Sequence, residues 1–210
     1  MKHGQSFKTM TITINGTGTL TGVSVGGLPD GIVDTDMLAA NAVTAAKASG
    51  SAKGITMADH WRLHTSQNGG ASASNVDLTN WERVDTSPQG GFIGSAMTVS
   101  SGVFTFPSTG VYLVRASGTF HDGGSNMHYA RFSMFATTNN SSYSTIAEGY
   151  SSSLTTTQGF QTCYMESLID VTDTSNVKLK FGFSGLYDVY CMGETTANRT
   201  AITFVKLGDT

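Results

Sequence analysis

Charged side chains are scarce in this sequence, and their scarcity excludes several classes of protein. Lysine, arginine, aspartate and glutamate make up 13% of the 210 residues, whereas roughly 25% is typical of globular proteins. The net charge is only -3 and lysine and arginine form no cluster along the chain, so we expect no binding to nucleic acid. Intrinsic disorder is also disfavoured, because disordered chains usually carry a high net charge.

Long apolar runs and cysteine are scarce as well. No stretch approaches the roughly 20 apolar residues that a membrane-spanning helix needs, and no apolar signal segment follows residues 1–5, so neither membrane insertion nor export is expected. Cys163 and Cys191 are the two cysteines. We expect two buried free thiols, with a disulfide between neighbouring strands as the alternative. Two cysteines alone form no structural zinc site, and we predict no metal and no cofactor.

The chain is instead rich in serine, threonine, asparagine and glycine, arranged as short alternating stretches. From about residue 77 onward, apolar and polar residues alternate with the period of a β-strand, and polar loops separate the stretches. This pattern predicts a mainly β sandwich or barrel. The clearest strands are residues 103–106, 111–114, 161–171, 177–183 and 201–207.

The sequence before residue 77 differs from the part that follows. Residues 1–27 predict a β-ribbon with a two-residue turn at Asn15 and Gly16, a strong hairpin signal. Residues 28–76 predict a connector with short helices, one beginning near Met37 and another running from Met57 to Leu63. We therefore divide the chain into a ribbon (1–27), a connector (28–76) and a β head (77–210).

Two short motifs in the head resemble a known family. Residues 102–106 (GVFTF) are followed by residues 110–112 (GVY), and the second glycine stands eight positions after the first. This spacing resembles the signature of C1q/TNF-like jelly rolls, and the similar region covers about residues 78–208. The resemblance implies a jelly-roll sandwich in which Phe104 and Phe106 face the core, Pro107 reverses the chain, and residues 201–207 form a central final strand. It also implies a homotrimer.

Two further segments resemble bacteriophage fibre proteins. They are residues 36–44 (DMLAANAVT), similar to a connector in such fibres, and residues 80–85 (NWERVD), similar to part of a fibre tip. The resemblance implies a virion structural protein assembled in the host cytoplasm, probing the host with its head. Residues 1–27 would dock on the particle, with contacts to other virion proteins through residues 1–60. A short tail fibre is the first hypothesis, a capsid head fibre or decoration protein the second, and a glycan-cleaving tail protein the third.

Catalytic and metal-binding patterns in the sequence are weak. His60 and His64 would share a face of a helix, but no third metal ligand accompanies them. His121 and Asp122 are adjacent without a nucleophile elbow. The carboxylates that a glycosidase would need are scattered over Glu148, Glu166, Asp170 and Glu194. We therefore predict that the protein is not an enzyme.

The loops of the head are better candidates for binding. Three segments, residues 121–128, 137–150 and 184–198, are rich in asparagine, serine, glycine and tyrosine. Such residues combine adaptable hydrogen bonds with flat aromatic surfaces, which suits a host glycan or a protein surface. The candidate receptor-binding residues are Tyr143, Tyr150, Tyr187, Tyr190 and His128.

Overall fold

The structure is a computed structural model that describes residues 54–124, 127–152 and 159–210, together with two short strands near the N-terminus. The chain divides into two compact units, Met1–Ala48 and Ser49–Thr210. Within the described residues there is no helix, and therefore none long and apolar enough to cross a membrane.

All regular elements of the described residues are β-strands, which we number in chain order. They are β1 (Thr13–Ile14), β2 (Leu20–Thr21), β3 (Ala58–Leu63), β4 (Gln67–Asn68), β5 (Ser72–Asp77), β6 (Trp81–Arg83), β7 (Phe92–Ile93), β8 (Thr98–Ser100), β9 (Val103–Thr105), β10 (Gly110–Asp122), β11 (Tyr129–Thr137), β12 (Ser144–Ser152), β13 (Phe160–Val171), β14 (Lys178–Leu186), β15 (Val189–Cys191) and β16 (Ala201–Gly208).

Two antiparallel sheets form the sandwich of the second unit. The front sheet has the order β4-β15-β10-β16-β3-β6, with β13 paired along the other side of β10 and β7 paired to β3. The back sheet has the order β12-β11-β14-β9-β8, with β5 paired to β14. Strand β16 lies between β10 and β3, as expected for a central final strand.

The alternation seen in the sequence places one side of each long strand in a shared aromatic core. Phe104 lies at its centre, with its ring centroid 5.4 Å from that of Trp61, 5.8 Å from Phe181 and 5.2 Å from Phe204. All four side chains are buried. Each buried aromatic side chain of this kind stabilises the fold by about 1.5–3 kcal/mol, so this cluster is a main source of stability.

The two motif glycines occupy backbone positions that side chains rarely adopt. Gly102 has a φ of 80° and Gly110 a φ of 137°, and a Cβ atom at Gly102 would collide with the carbonyl oxygen of Leu78. Between them the chain leaves β9 in the back sheet and enters β10 in the front sheet. The turn at Pro107 therefore joins two sheets and does not close a hairpin within one sheet.

Three predictions about the N-terminal half have different outcomes. The helix predicted from Met57 to Leu63 is wrong, because residues Ala58–Leu63 form strand β3 and pair with β16. The predicted ribbon is present as β1 and β2, but Ile14 pairs with Leu20, so a two-residue turn at Asn15 and Gly16 does not connect them. The helix expected near Met37 lies outside the described residues.

Both cysteines are buried and free. Cys163 lies on β13 and Cys191 on β15, and both side chains face the core. Burial raises the pKa of the Cys163 thiol to about 11 and that of the Cys191 thiol to about 12, so both thiols are protonated at neutral pH and react slowly.

The antiparallel strands give the sandwich two distinct ends. Strand β10 begins at Gly110, opposite Val171 of β13, at the end that we call the base. The chain enters the sandwich at the base, where Ala58 of β3 pairs with Val205. Strand β10 ends at Asp122, beside Phe160, at the end that we call the distal end. Loops at the distal end are thus far from the point at which the chain enters.

Candidate binding surfaces

The outward side of the front sheet carries a continuous row of apolar side chains, which we call the outer apolar row. Cross-strand pairing aligns five residues from β13, β10, β16, β3 and β7. They are Leu168, Leu113, Val205, Ala58 and Ile93. Leu168 is 62% exposed and Ile93 52% exposed. Such a row loses contact with water only when another surface covers it.

Further apolar side chains extend this row into a surface, the outer apolar face, which comprises the outer apolar row with Phe160 and Tyr164. Phe160, Tyr164 and Leu168 follow one another at every fourth position along β13, and all are more than half exposed. Tyr164 and Leu168 lie on the outward side of the strand that the sequence predicted. Apolar residues on the outward side of an alternating strand indicate a candidate contact surface, and the sequence analysis did not use this signal.

Polar groups interrupt the outer apolar face along one line. The Nε–H of Arg115 donates to the hydroxyl of Tyr164 at 2.6 Å, and Arg115 lies 3.4 Å from the carboxylate of Glu166. His60 lies between two shallow depressions of about 310 Å³ each, and Thr203 lines both of them. Burial lowers the pKa of His60, and the Arg62 guanidinium lowers it further, so its imidazole is neutral at pH 7.

The outward side of the back sheet, which we call the polar face, is organised by charge. Arg131 lies 3.2 Å from the carboxylate of Glu148 and donates to the hydroxyl of Ser184 at 2.7 Å. Lys180 binds Asp77 at 2.9 Å, and its ammonium lies 5.0 Å from the ring centroid of Tyr143. These charged groups are paired within the chain, although the buried Nε of Arg131 has no hydrogen-bond partner among the described residues.

A second group of aromatic side chains lies at the distal end, and we call it the distal rim. The ring of His121 stacks on that of Tyr190 at 4.9 Å with an angle of 15°. The ring of His128 lies 4.8 Å from that of Tyr187, tilted by 59°. Phe160 lies 6.0 Å from His121 and belongs both to the rim and to the edge of the outer apolar face.

The structure places the five candidate receptor-binding residues on three different surfaces. Tyr187, Tyr190 and His128 lie together on the distal rim. Tyr150 lies on the polar face, 62% exposed, and its hydroxyl donates to Glu148 at 2.9 Å. Tyr143 follows β11 at the base, where Lys180 covers its ring. Among the five, the rings of Tyr187 and His128 are in contact with each other, and whether any of the five binds a ligand stays a prediction.

Sequence reasoning missed two members of the rim. His121 was considered as half of a catalytic pair and lay within a segment proposed for binding, but it was not named as a binding residue, and Phe160 was not considered. Both lie on the outward side of their strands, directly opposite each other in the β10–β13 register. Strand parity would have found them once that pairing was known.

The histidines of the weak catalytic and metal-binding patterns make ordinary structural contacts. His121 Nδ1 lies 2.6 Å from the carbonyl oxygen of Asp122, which can only accept, so Nδ1 carries the proton. His60 lies on a strand and not on a helix, and His64 Nδ1 contacts the hydroxyl of Thr65 at 2.7 Å. Across the described part of the chain, no three His, Cys, Asp or Glu side chains gather as a metal site would require.

Comparisons with known proteins agree with the architecture. No protein-family model matches the chain, and no curated protein sequence matches it. Among solved structures, Eiger TNF from S. frugiperda is similar with a TM-score of 0.57 and 17% identity, covering 74% of this chain and 95% of that one. Murine APRIL at pH 5.0 is similar with a TM-score of 0.51 and 12% identity, covering 71% of this chain and 98% of that one. At these identities the similarity shows the fold alone, a TNF-like jelly roll, and confirms the C1q/TNF-like expectation at that level.

Proposed function

We propose that the protein is a non-enzymatic binding protein whose jelly-roll domain forms a homotrimer through the outer apolar face. The outer apolar row carries this proposal. Five apolar side chains on five neighbouring strands stand side by side, and burying them against another copy removes their surface from water. Each square ångström of apolar surface buried contributes roughly 25 cal/mol, and a specific interface buries about 800 Å² per partner.

The outer apolar face can form a ring of copies. Phe160, Tyr164 and Leu168 line one edge along β13, whereas Ile93 lies at the opposite edge on β7. When the β13 edge of one copy contacts the β7 edge of the next, the contact is head-to-tail, and it closes into a ring when the rotation between copies allows. The number three comes from the resemblance to C1q/TNF-like jelly rolls.

The biological role that fits such a trimer is a virion structural protein, most simply a short tail fibre. Support comes from the fibre-like segments at residues 36–44 and 80–85. Residues 1–60 would contact other virion proteins, and the distal rim would contact a glycan or protein on the host surface. The chain enters the sandwich at the base, so the rim lies at the end away from that entry.

The arrangement of the carboxylates supports a non-enzymatic role. A glycoside-cleaving site needs two carboxyl groups facing one substrate. Glu148 is paired with Arg131, Glu166 with Arg115, and Glu194 with Arg199. Each carboxylate is thus held by its own arginine on a separate part of the surface.

The solution mass of the full chain, measured by light scattering, tests the assembly. A homotrimer of the 22.1 kDa chain has a mass near 66 kDa, three times that value. A monomer at micromolar concentration would contradict the proposal. Gold-labelled antibody on intact particles then separates a tail fibre from a capsid fibre or decoration protein, because the two differ only in where the label lies.

A further inference from the structure

The connection between β14 and β15 has an unusual backbone for the residues that form it. Tyr187 has a φ of 67° and Asp188 a φ of 59°, so two consecutive residues with side chains occupy the left-handed region. Glycine adopts this region freely, whereas a bulky residue there is an outlier. The other left-handed positions of the described residues carry glycine, such as Gly102, or the small polar residues Asn75, Ser101 and Asn140. A tyrosine at this position therefore calls for a reason that lies in its side chain.

The strained connection is held firmly in place by its neighbours. The N–H of Tyr187 donates to the carbonyl of Ala71 at 2.8 Å, and the N–H of Gly123 donates to the carbonyl of Asp188 at 2.8 Å. A Cβ atom at Gly123 would collide with the Asp188 carboxylate. The connection is thus fixed from two sides, and a fixed loop loses little conformational entropy when a ligand binds.

The tyrosine side chain contributes little to the core. Tyr187 is 49% exposed, and its ring meets that of the exposed His128 at an angle of 59°. Leu186, beside them, is 38% exposed. The tyrosine ring and the imidazole ring form a corner that is open to solvent. The tyrosine hydroxyl and the imidazole nitrogens lie at the margins of this corner. Because strain is retained where the surrounding structure enforces it, often at binding sites, the corner is a candidate site.

From this corner we propose that Tyr187 and His128 bind an uncharged sugar residue of a glycan, one sugar face packing on the tyrosine ring. This inference rests on the proposed role in binding a host surface and names the ligand class. Amphipathic aromatic rings offer an apolar face with a polar tip, which matches a sugar ring with its apolar face and hydroxyl edges. Residues 121–124, 127–128, 159–160 and 186–190 contain no lysine or arginine, and Asp188 is acidic, so sialylated and sulfated glycans are disfavoured.

A double variant separates binding from folding. Tyr187→Asn with Asp188→Gly places residues that tolerate the left-handed region at both positions. We expect its melting temperature to rise by about 2–4 °C and its affinity for a neutral glycan to fall at least tenfold. His128→Ala should weaken binding in the same direction. The matched control is Ile146→Ala, which removes a side chain that is 40% exposed on β12 and should leave binding unchanged.

The measurement uses the full chain on an array of neutral, sialylated and sulfated glycans, followed by calorimetry with the strongest neutral ligand. Trimeric protein that binds no neutral glycan, or that binds only anionic ones, overturns the inference. Equal affinity of the wild type and the double variant overturns it as well. Light scattering on the same samples keeps the two proposals apart, because a monomer contradicts the proposed assembly whereas a trimer without glycan binding contradicts only this inference.

Discussion

The two outward faces of the sandwich differ in how far their side chains are paired within the chain or left exposed to water. On the polar face, Arg131 is matched by Glu148 and Lys180 by Asp77, so these charges are paired within one chain. On the outer apolar face, Leu113 lies beside Leu168, which is 62% exposed among the described residues. Both faces stand on strands whose inward side chains belong to one shared core, so the difference lies in the outward side chains and in what we propose that they contact.

Breaking the shared core should affect both faces at once and has the largest expected effect. Phe104→Ala removes a fully buried ring that contacts Trp61 and Phe204. We expect the free energy of unfolding to fall by about 3–5 kcal/mol, measured by urea denaturation. The control is Phe92→Ala, the same change at a side chain of β7 that is 52% exposed, where a loss above about 1 kcal/mol would contradict the burial assignment.

Introducing a carboxylate on one face and then on the other tests the comparison directly. Leu168→Asp introduces a carboxylate into the outer apolar row, where assembly would strip it of water. We expect the mass to fall from three chains towards the 22.1 kDa of one, with unchanged far-UV circular dichroism. Ile146→Asp makes the same kind of change on β12, beside the polar face, at a residue that is 40% exposed. It should leave the mass unchanged, and equal dissociation by both variants would show that the faces do not differ.

Much of this comparison could be predicted from the sequence, because strand parity is a local property. The alternation along β13 and β14 separated the residues that prove inward from those that prove outward, and the glycine spacing of the β9–β10 connection indicated the jelly roll. Strand β3 was missed because its inward residues include the charged Asp59, which hides the period of two. Asp59 is tolerated inside because Arg83 and the N–H of Met97 bind its carboxylate, and both partners come from elsewhere in the chain.

The candidate site could be predicted only in part, for a related reason. Composition indicated three loop segments, two of which contain tyrosine, but composition does not say which loops share an end of a sandwich. The topology brings Tyr187 to His128 and sends Tyr143 to the base. The strain at Tyr187 could not be predicted from the sequence either, because nothing in the neighbouring residues predicts a left-handed backbone at this position.

Protonation of His60 should have the smallest effect on the free energy of unfolding. It tests the comparison through a residue on the outward side of the front sheet. Burial and Arg62 hold the pKa of His60 below its ordinary value near 6.5. Between the two pKa values the unfolded chain binds more protons than the folded chain, so this contribution to stability is fully present above pH 6.5 and decreases as the pH falls below it. Urea denaturation at pH 8 and pH 5 measures the loss, and His60→Gln should reduce it.

The groups around His60 decide how assembly would change that loss. Asp59 favours the protonated form, but its carboxylate is already bound by Arg83. On the facing strands, Thr203 is uncharged and Arg115 adds a positive charge that Glu166 partly offsets. Covering the face with another copy deepens the burial of His60, and burial is the largest cause of its lowered pKa. We therefore expect a steeper loss of stability at acidic pH for the trimer than for the monomeric Leu168→Asp variant. Identical pH profiles for the two would mean that His60 lies outside the interface, and that the contact between copies is confined to the β13 side of the outer apolar face.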